Sequence, residues 1–407
     1  MSRGDFRLAL IGTGNISGAH RRAMAELKGK GLNDFALTAV CDVHPEAAQY
    51  AADDAEQLFG LRPAIYTDYQ ELLAREKLDG ADLCLPIGLH HLVAVDCLEA
   101  GIPVLCEKPL GITVKAARRM AGAAARSGRI LSTAHQSRRQ QSQRAIHWAL
   151  NTAKLIGEPQ TFFHQHAQEW PAGGRTPSWI ERRREAGGGP LINCGIHYLD
   201  TMRYFFGDLD KVYAEAREWK SGQPKRLDKA IEDALYATLV FKNGIVGSWA
   251  YSLAAPGEST TDVMFYGTQG SLRDSSQGRF RCWCHLLSAD GRLNVLDSGQ
   301  ITKGDGAKLS LDEVKRMYLE SLGEEQKEQL FPRGVTNAMA VEIWEFLEAV
   351  RGKRRGVEVD GWEGLKAVAA CHALYESALT GEVIAVDDVL SGKRGAYQSM
   401  IDEYWKL

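Results

Sequence analysis

A short apolar run, Phe6 to Ile11, breaks at Gly12-Thr13-Gly14-Asn15-Ile16-Ser17 and gives way to helix-like spacing that reaches Lys28. This junction of strand, glycine turn and helix constrains the fold more than any other feature of the chain. Its first glycine permits a tight turn, its second lets backbone approach a pyrophosphate, and the N-terminus of the next helix faces the anion. Thr13, Asn15 and Ile16 complete the cradle, and Ser17 replaces the third glycine of the pattern with another small residue. A glycine-rich match alone also fits a structural turn; its position in a first βα unit favours a dinucleotide site.

The alternation continues. Apolar strands are expected over 35–42, 81–87, 102–109 and 130–135, with helical spacing after Pro45, over 91–100 and over 113–127. Short all-apolar strands between helices indicate a parallel sheet covered on both faces. Residues 1–135 therefore read as a doubly wound Rossmann domain. Asp42 closes the second strand, where a carboxylate accepts the ribose hydroxyls of NAD, and Val43-His44-Pro45 offer no cation for a 2′-phosphate. NAD is expected over NADP. The plainer alternative for Asp42 is a turn or helix cap.

At about 150 residues per domain, a chain of 407 residues holds two or three. After residue 135 the pattern becomes strand-like, over 161–168, 212–219, 233–242, 245–254, 260–267 and 280–287. Asn243-Gly244 between two alternating runs predicts a hairpin with a type I′ turn. Residues 136–407 thus read as an α+β domain with a large, mostly antiparallel open sheet and a helical tail over 336–380. Apolar alternation across 235–251 on a sheet with one uncovered face leads to an expected homodimer or homotetramer. Residues 288–330 carry no clear assignment.

Composition narrows the class. Hydrophobic residues make up 44% and charged residues 25%, which excludes wholesale disorder, and a net charge of −3 gives no field to attract nucleic acid or anionic lipid. No apolar run approaches the length of a spanning helix. The eight cysteines are scattered; Cys282-Trp283-Cys284 lacks the second half of a zinc site. Free thiols in a reducing compartment and a strand at the N-terminus in place of a signal peptide both point to the cytoplasm.

Two further segments carry chemistry. Glu107-Lys108-Pro109 ends the 102–109 strand, on the edge where such sheets bind ligands, and Pro109 restricts Lys108 and admits a cis bond. Gly187-Gly188-Gly189-Pro190 then leads into a helix on which Asn193, His197 and Asp200 fall at i, i+4 and i+7, on one face.

Together these segments resemble the Gfo/Idh/MocA oxidoreductases, which include glucose-fructose oxidoreductase and inositol 2-dehydrogenase. The resemblance runs from Gly12 through Pro86-Ile87-Gly88-Leu89-His90, Glu107-Lys108-Pro109 and the Gly187–Asp200 segment to Gly267-Thr268-Gln269-Gly270-Ser271-Leu272. It implies that Lys108 and His197 are the catalytic pair, with Asn193 beside them, and that Pro86, His90, Glu107 and Lys108 line the cofactor site. Two positions depart from the family pattern. Ile87 stands where an asparagine is frequent, and Asn193 where a catalytic aspartate is frequent, which removes a charge from the proton relay.

His164 and His166 share a strand face, yet no carboxylate or cysteine lies near in sequence, so no metal is expected. Trp179, Arg182 and Arg183 have helical spacing. Trp179 and Arg182 are candidate substrate contacts, against a solvated face or an oligomer contact for Arg182-Arg183-Arg184. Trp170 would stack on a sugar ring or join the core.

The expected activity is NAD-dependent oxidation of a secondary alcohol in a sugar, sugar derivative or cyclic polyol. Hydride leaves to nicotinamide and the hydroxyl proton to His197 or Lys108. A base needs a pKa near the working pH, which histidine has unperturbed. One alternative is an NAD-recycling glycoside hydrolase, acting by transient oxidation and elimination with no net NADH. A second is a non-catalytic NAD-binding regulator, whose signature would be loss of the lysine and histidine.

Overall fold

The structure, a computed structural model, describes residues 6–32, 34–169, 178–223, 225–227, 231–274 and 299–407. The chain divides into two compact units, Met1–Gln140 with Glu324–Leu365, and Gln141–Gly323 with Lys366–Leu407.

In the first unit, β1 (Phe6–Ile11), β2 (Phe35–Cys41), β3 (Ala64–Tyr66), β4 (Gly80–Leu83), β5 (Val104–Glu107) and β6 (Leu131–Ala134) form one sheet in the order β3-β2-β1-β4-β5-β6. Every neighbouring pair is parallel. Between the strands run α1 (Asn15–Gly29), α2 (Pro45–Phe59), α3 (Tyr69–Arg75), α4 (His90–Glu99) and α5 (Val114–Ser127). This is the doubly wound order expected from the sequence, with its switch point between β1 and β4. The sequence reading misses β3, which is three residues long and mostly exposed, so it shows no apolar run.

The sequence reading gives every residue after 135 to the second domain, whereas 324–365 group with the first unit. Helix Ala338–Val350 places Val341, Ile343, Phe346 and Leu347 in one buried cluster with Phe6, Leu8, Met24 and Leu27. Phe346 meets Phe6 edge-on, with ring centroids 6.5 Å apart. An apolar helical stripe signals burial without saying which core receives it.

The second unit is built on β7 (Pro159–Ala167), β8 (Leu209–Arg217), β9 (Ala234–Phe241), β10 (Val246–Ser252), β11 (Thr260–Gly267), β12 (Gly270–Asp274), β13 (Gly299–Lys303), β14 (Lys308–Ser310) and β15 (Ile384–Ala385). They pair in the order β14-β13-β12-β11-β7-β10-β9-β8-β15. Only the β7–β10 pair is parallel. The strand expected over 280–287, with Cys282 and Cys284, lies outside the described residues. The β9–β10 hairpin is present, but its turn is not type I′. Among the three loop residues only Gly244 has a positive φ, +90°, and its N–H reaches the Phe241 carbonyl at 2.9 Å. This is the three-residue loop closed by a left-handed glycine.

One face of this sheet is covered by α6 (Gln141–Asn151), α8 (Ile196–Phe206) and helix Gly361–Thr380, and α7 (Arg183–Ala186) precedes α8 in the chain. Aromatic rings make that core. Phe206 of α8 stacks on Phe162 at 5.6 Å and meets Phe241 edge-on at 5.4 Å. The opposite face leaves Phe163, Tyr213, Tyr236, Val246 and Tyr266 exposed. Among the described residues no helix is long and apolar enough to cross a membrane.

Candidate active site

Because the strands of the first sheet are parallel, Gly12, Asp42, Pro86 and Lys108 all follow the carboxyl ends of its four central strands, β1, β2, β4 and β5. Gly12 has φ +90°, and a Cβ there would stand 2.4 Å from the Cys84 carbonyl oxygen. No side-chain-bearing residue fits that turn. Gly14 caps α1 without a side-chain hydrogen bond, no acidic residue occupies the first turn, and Gly14 and Asn15 are exposed while Ile16 is half-buried. An open, uncapped helix N-terminus of this kind receives an anion. Ser17 is fully buried and donates its hydroxyl to the Gly14 carbonyl at 2.6 Å.

Asp42 is bound into this loop. One carboxylate oxygen accepts the Thr13 amide at 2.8 Å and the Thr13 hydroxyl at 3.1 Å, and the other accepts the His44 amide at 3.0 Å. The carboxylate is thereby aimed before any ligand arrives. These residues fit a dinucleotide: glycine turn, helix N-terminus and ribose acceptor lie in one loop cluster.

The loop after β4 carries Pro86 and the short turn Ile87–Leu89, in which Ile87 is buried. His90 is fully buried, and its Nε2 and Nδ1 each lie 2.9 Å from a carbonyl oxygen, of Leu85 and Pro109 respectively. Burial holds its pKa below the ordinary histidine value. His90 thus ties the β4 loop to the residue after Lys108, and any effect on a cofactor would run through those loops.

The Lys108–Pro109 peptide is cis, and Lys108 is half-buried. Its amide N–H donates to one carboxylate oxygen of Glu107 at 3.0 Å. The other oxygen of Glu107 lies 3.1 Å from Nε2 of His20, whose Nδ1 is 2.8 Å from Asp82. Burial opposes a charge on His20, but Asp82 prevails and raises its pKa well above the ordinary value. His20 is thus a buried cation between two carboxylates, joining α1, β4 and β5. Sequence reasoning missed it because its partners lie 62 and 87 residues away. Among the described residues, ligand atoms of His20, Asp82 and Cys84 lie within 4.8 Å of one another, a set able to hold a metal ion. Both nitrogens of His20 already have carboxylate partners, which favours the ion-pair clamp.

In the second unit, Asn193 lies in a π-helical turn, Leu191–Gly195, that leads directly into α8 with His197 one residue inside it. Asn193 is buried and His197 half-buried. Single π turns are rare in proteins and frequently occur at functional sites. Asp200, expected on the same face, is fully buried and 3.9 Å from Arg203. Ahead of the turn the chain runs against other groups. A Cβ on Gly188 would stand 2.1 Å from the Tyr375 hydroxyl, and one on Gly189 2.4 Å from the Glu232 carbonyl.

Trp179 sits half-buried in a short turn, Ser178–Glu181, and Arg182 gives its guanidinium to Glu185 in two contacts of 2.6 Å. Arg183 and Arg184 lie over the rings of Tyr397 and Tyr404, at 5.0 and 4.9 Å. This arginine run is committed within the unit, which weakens the reading of Arg182 as a substrate contact. Trp170 lies outside the described residues. His164 and His166 share a face as expected, but it is the covered one. His164 stacks on Tyr198 at 3.9 Å, and His166 pairs with the Thr261 hydroxyl at 2.7 Å. Burial lowers the pKa of both, so they stay neutral.

Residues 6–135 match the oxidoreductase family with an NAD-binding Rossmann fold, and residues 149–273 match the GFO/IDH/MocA C-terminal domain. The chain is similar to D-apiose dehydrogenase of Paraburkholderia graminis, 26% identical over 385 residues that cover 93% of this chain and 89% of that protein. It is similar also to D-glucoside 3-dehydrogenase of Escherichia coli, 28% identical over 290 residues, 66% of this chain and 76% of that one. A levoglucosan dehydrogenase solved with NADH and levoglucosan has the same fold, with a TM-score of 0.72 and 22% identity over 94% of this chain and 99% of the other.

Proposed function

This chain belongs to the Gfo/Idh/MocA oxidoreductase family, with NAD as its cofactor, and from that premise we propose that it oxidises a secondary alcohol of a sugar, sugar derivative or cyclic polyol. The observation that carries the reading is a shared sheet edge. The Gly12 loop, the pre-aimed Asp42 and the Glu107-Lys108-Pro109 segment all follow the carboxyl ends of neighbouring parallel strands. The names of its relatives, which act on D-apiose, D-glucosides, levoglucosan and inositol, support the substrate class.

NAD supplies the acceptor for the hydride that leaves carbon. The chain's own task is the hydroxyl proton. We assign it to His197, whose side-chain type titrates near neutrality, with Lys108 holding the alcohol oxygen or sharing the proton. Asn193 orients the group beside it through hydrogen bonds but takes up no proton in the working range. His197→Ala and Lys108→Ala are each expected to lower kcat by about 10²-fold or more. NADH absorbance with D-apiose, levoglucosan and inositol as substrates tests this, and a variant with full kcat refutes that residue's role.

The reading extends to assembly and location. Exposed Phe163, Tyr213, Tyr236, Val246 and Tyr266 on the uncovered sheet face suit burial against a second copy, as a homodimer or homotetramer. The six cysteines among the described residues are buried free thiols, which supports a reducing, cytoplasmic setting.

A further inference from the structure

Glu232 is 2% exposed, and no Lys or Arg pairs with it among the described residues. Its carboxylate instead accepts four hydrogen bonds. One oxygen takes the Gly189 amide at 3.0 Å; the other takes the Leu191 amide at 3.0 Å, the Tyr375 hydroxyl at 2.8 Å and the Tyr251 hydroxyl at 3.3 Å. A buried carboxylate without a cation is costly, and burial pushes its pKa up while these donors oppose that shift.

The donors say what this arrangement serves. Gly189 and Leu191 flank Pro190, which has no N–H, so these two amides are the ones that open the helix bearing Asn193 and His197. The next amide, of Ile192, reaches the Tyr375 hydroxyl at 3.3 Å. Gly188 and Gly189 lack a Cβ where one would collide with Tyr375 and Glu232, so the triple glycine lets the chain close onto this anchor. Gly195 has the same relation to Trp249, whose ring would stand 2.7 Å from a Cβ there. The π turn is therefore fixed at its start by hydrogen bonds and at its end by a ring.

We propose that Glu232, with Tyr375, is the positioning residue of the active-site helix, holding the π turn so that Asn193 and His197 face the reacting hydroxyl. The proposal rests on the assignment of His197 to that hydroxyl. Glutamine in place of Glu232 keeps the shape but turns an NH2 group towards an amide donor, so the turn loses one tie and its charge. A shift of the catalytic group by a fraction of an ångström lowers kcat far more than it lowers substrate binding.

The test uses the full chain with NAD, and whichever of D-apiose, levoglucosan and inositol turns over. Glu232→Gln is expected to lower kcat by about tenfold or more, with a much smaller change in KM. NAD affinity should be unchanged, because the nucleotide residues belong to the other unit, and a thermal melt that superimposes on the parent's reports that the unit bearing Glu232 is folded. Tyr375→Phe is expected to show a smaller loss of the same kind, and supplies the readout if Glu232→Gln does not fold. In a His197→Ala background, Glu232→Gln should lower kcat hardly further, since there is no longer a base to position. Equal fold-losses in both backgrounds, or full kcat in folded Glu232→Gln or Tyr375→Phe, would overturn the proposal. Full kcat in His197→Ala alone would instead remove the catalytic assignment beneath it.

Discussion

Asparagine in place of Asp42 should erode the preference for NAD while leaving the glycine loop standing. Three donors already hold the carboxylate: the Thr13 amide, the Thr13 hydroxyl and the His44 amide, at 2.8, 3.1 and 3.0 Å. A carboxylate has about four acceptor sites, and rotation of the Thr13 hydroxyl frees a second, so both oxygens can accept a ribose diol. A hydrogen bond to a charged acceptor contributes about 1.5–3 kcal/mol, the loss expected for NAD when the charge is removed. Repulsion between the carboxylate and a 2′-phosphate costs NADP about 1 kcal/mol in a water-exposed site, and that cost disappears. The two effects add to about 3 kcal/mol, or about 100-fold in the ratio of dissociation constants. Asp42→Ala should in addition untie Thr13 and weaken both nucleotides. Titration calorimetry with NAD and NADP on the three proteins measures the ratio directly. If Asp42→Asn leaves it unchanged, the carboxylate is a turn residue and the specificity lies elsewhere.

Burial pushes His166 down to about 4, so the folded protein keeps it neutral while the unfolded chain binds its proton below about pH 6.5. Stability should therefore fall as the pH drops through that window, by about 2 kcal/mol from this group at pH 5, and His166→Gln should remove that part of the loss. Urea denaturation at pH 7 and pH 5 checks this; the same pH dependence in both proteins refutes it. Asn193→Asp adds a negative charge beside the base and should move the acidic limb of the kcat/KM profile to higher pH. An unmoved limb would limit Asn193 to substrate geometry. Tyr213→Lys with Tyr236→Lys places cations on the uncovered sheet face and should shift the light-scattering mass towards the 44.9 kDa monomer. A monomeric parent protein would refute the interface.

What the sequence reveals follows the range of its signals. The Gly12 turn, Asp42 and the 104–107 strand announce themselves within a few residues, so the NAD-binding fold is legible in the sequence itself. Pairings across long separations are not. His20 meets Asp82 and Glu107, and Glu232 meets Gly189 and Leu191, only because the sheet and helices bring them together. The return of residues 338–350 to the first unit is hidden for the same reason, since an apolar stripe has no address. Arg182 is a local case: helical spacing suggests a ligand contact, while Glu185, three residues on, pairs with its guanidinium.

The central claim is net oxidation of a secondary alcohol with NAD, and the ratio of NADH formed to product formed tests it most directly. Purified protein with excess NAD and D-apiose, levoglucosan, inositol or a methyl glucoside should accumulate NADH at 340 nm in equimolar amount with a keto product. Glycoside cleavage that releases free sugar while NADH stays flat would contradict it, and would place the chain among redox-recycling hydrolases.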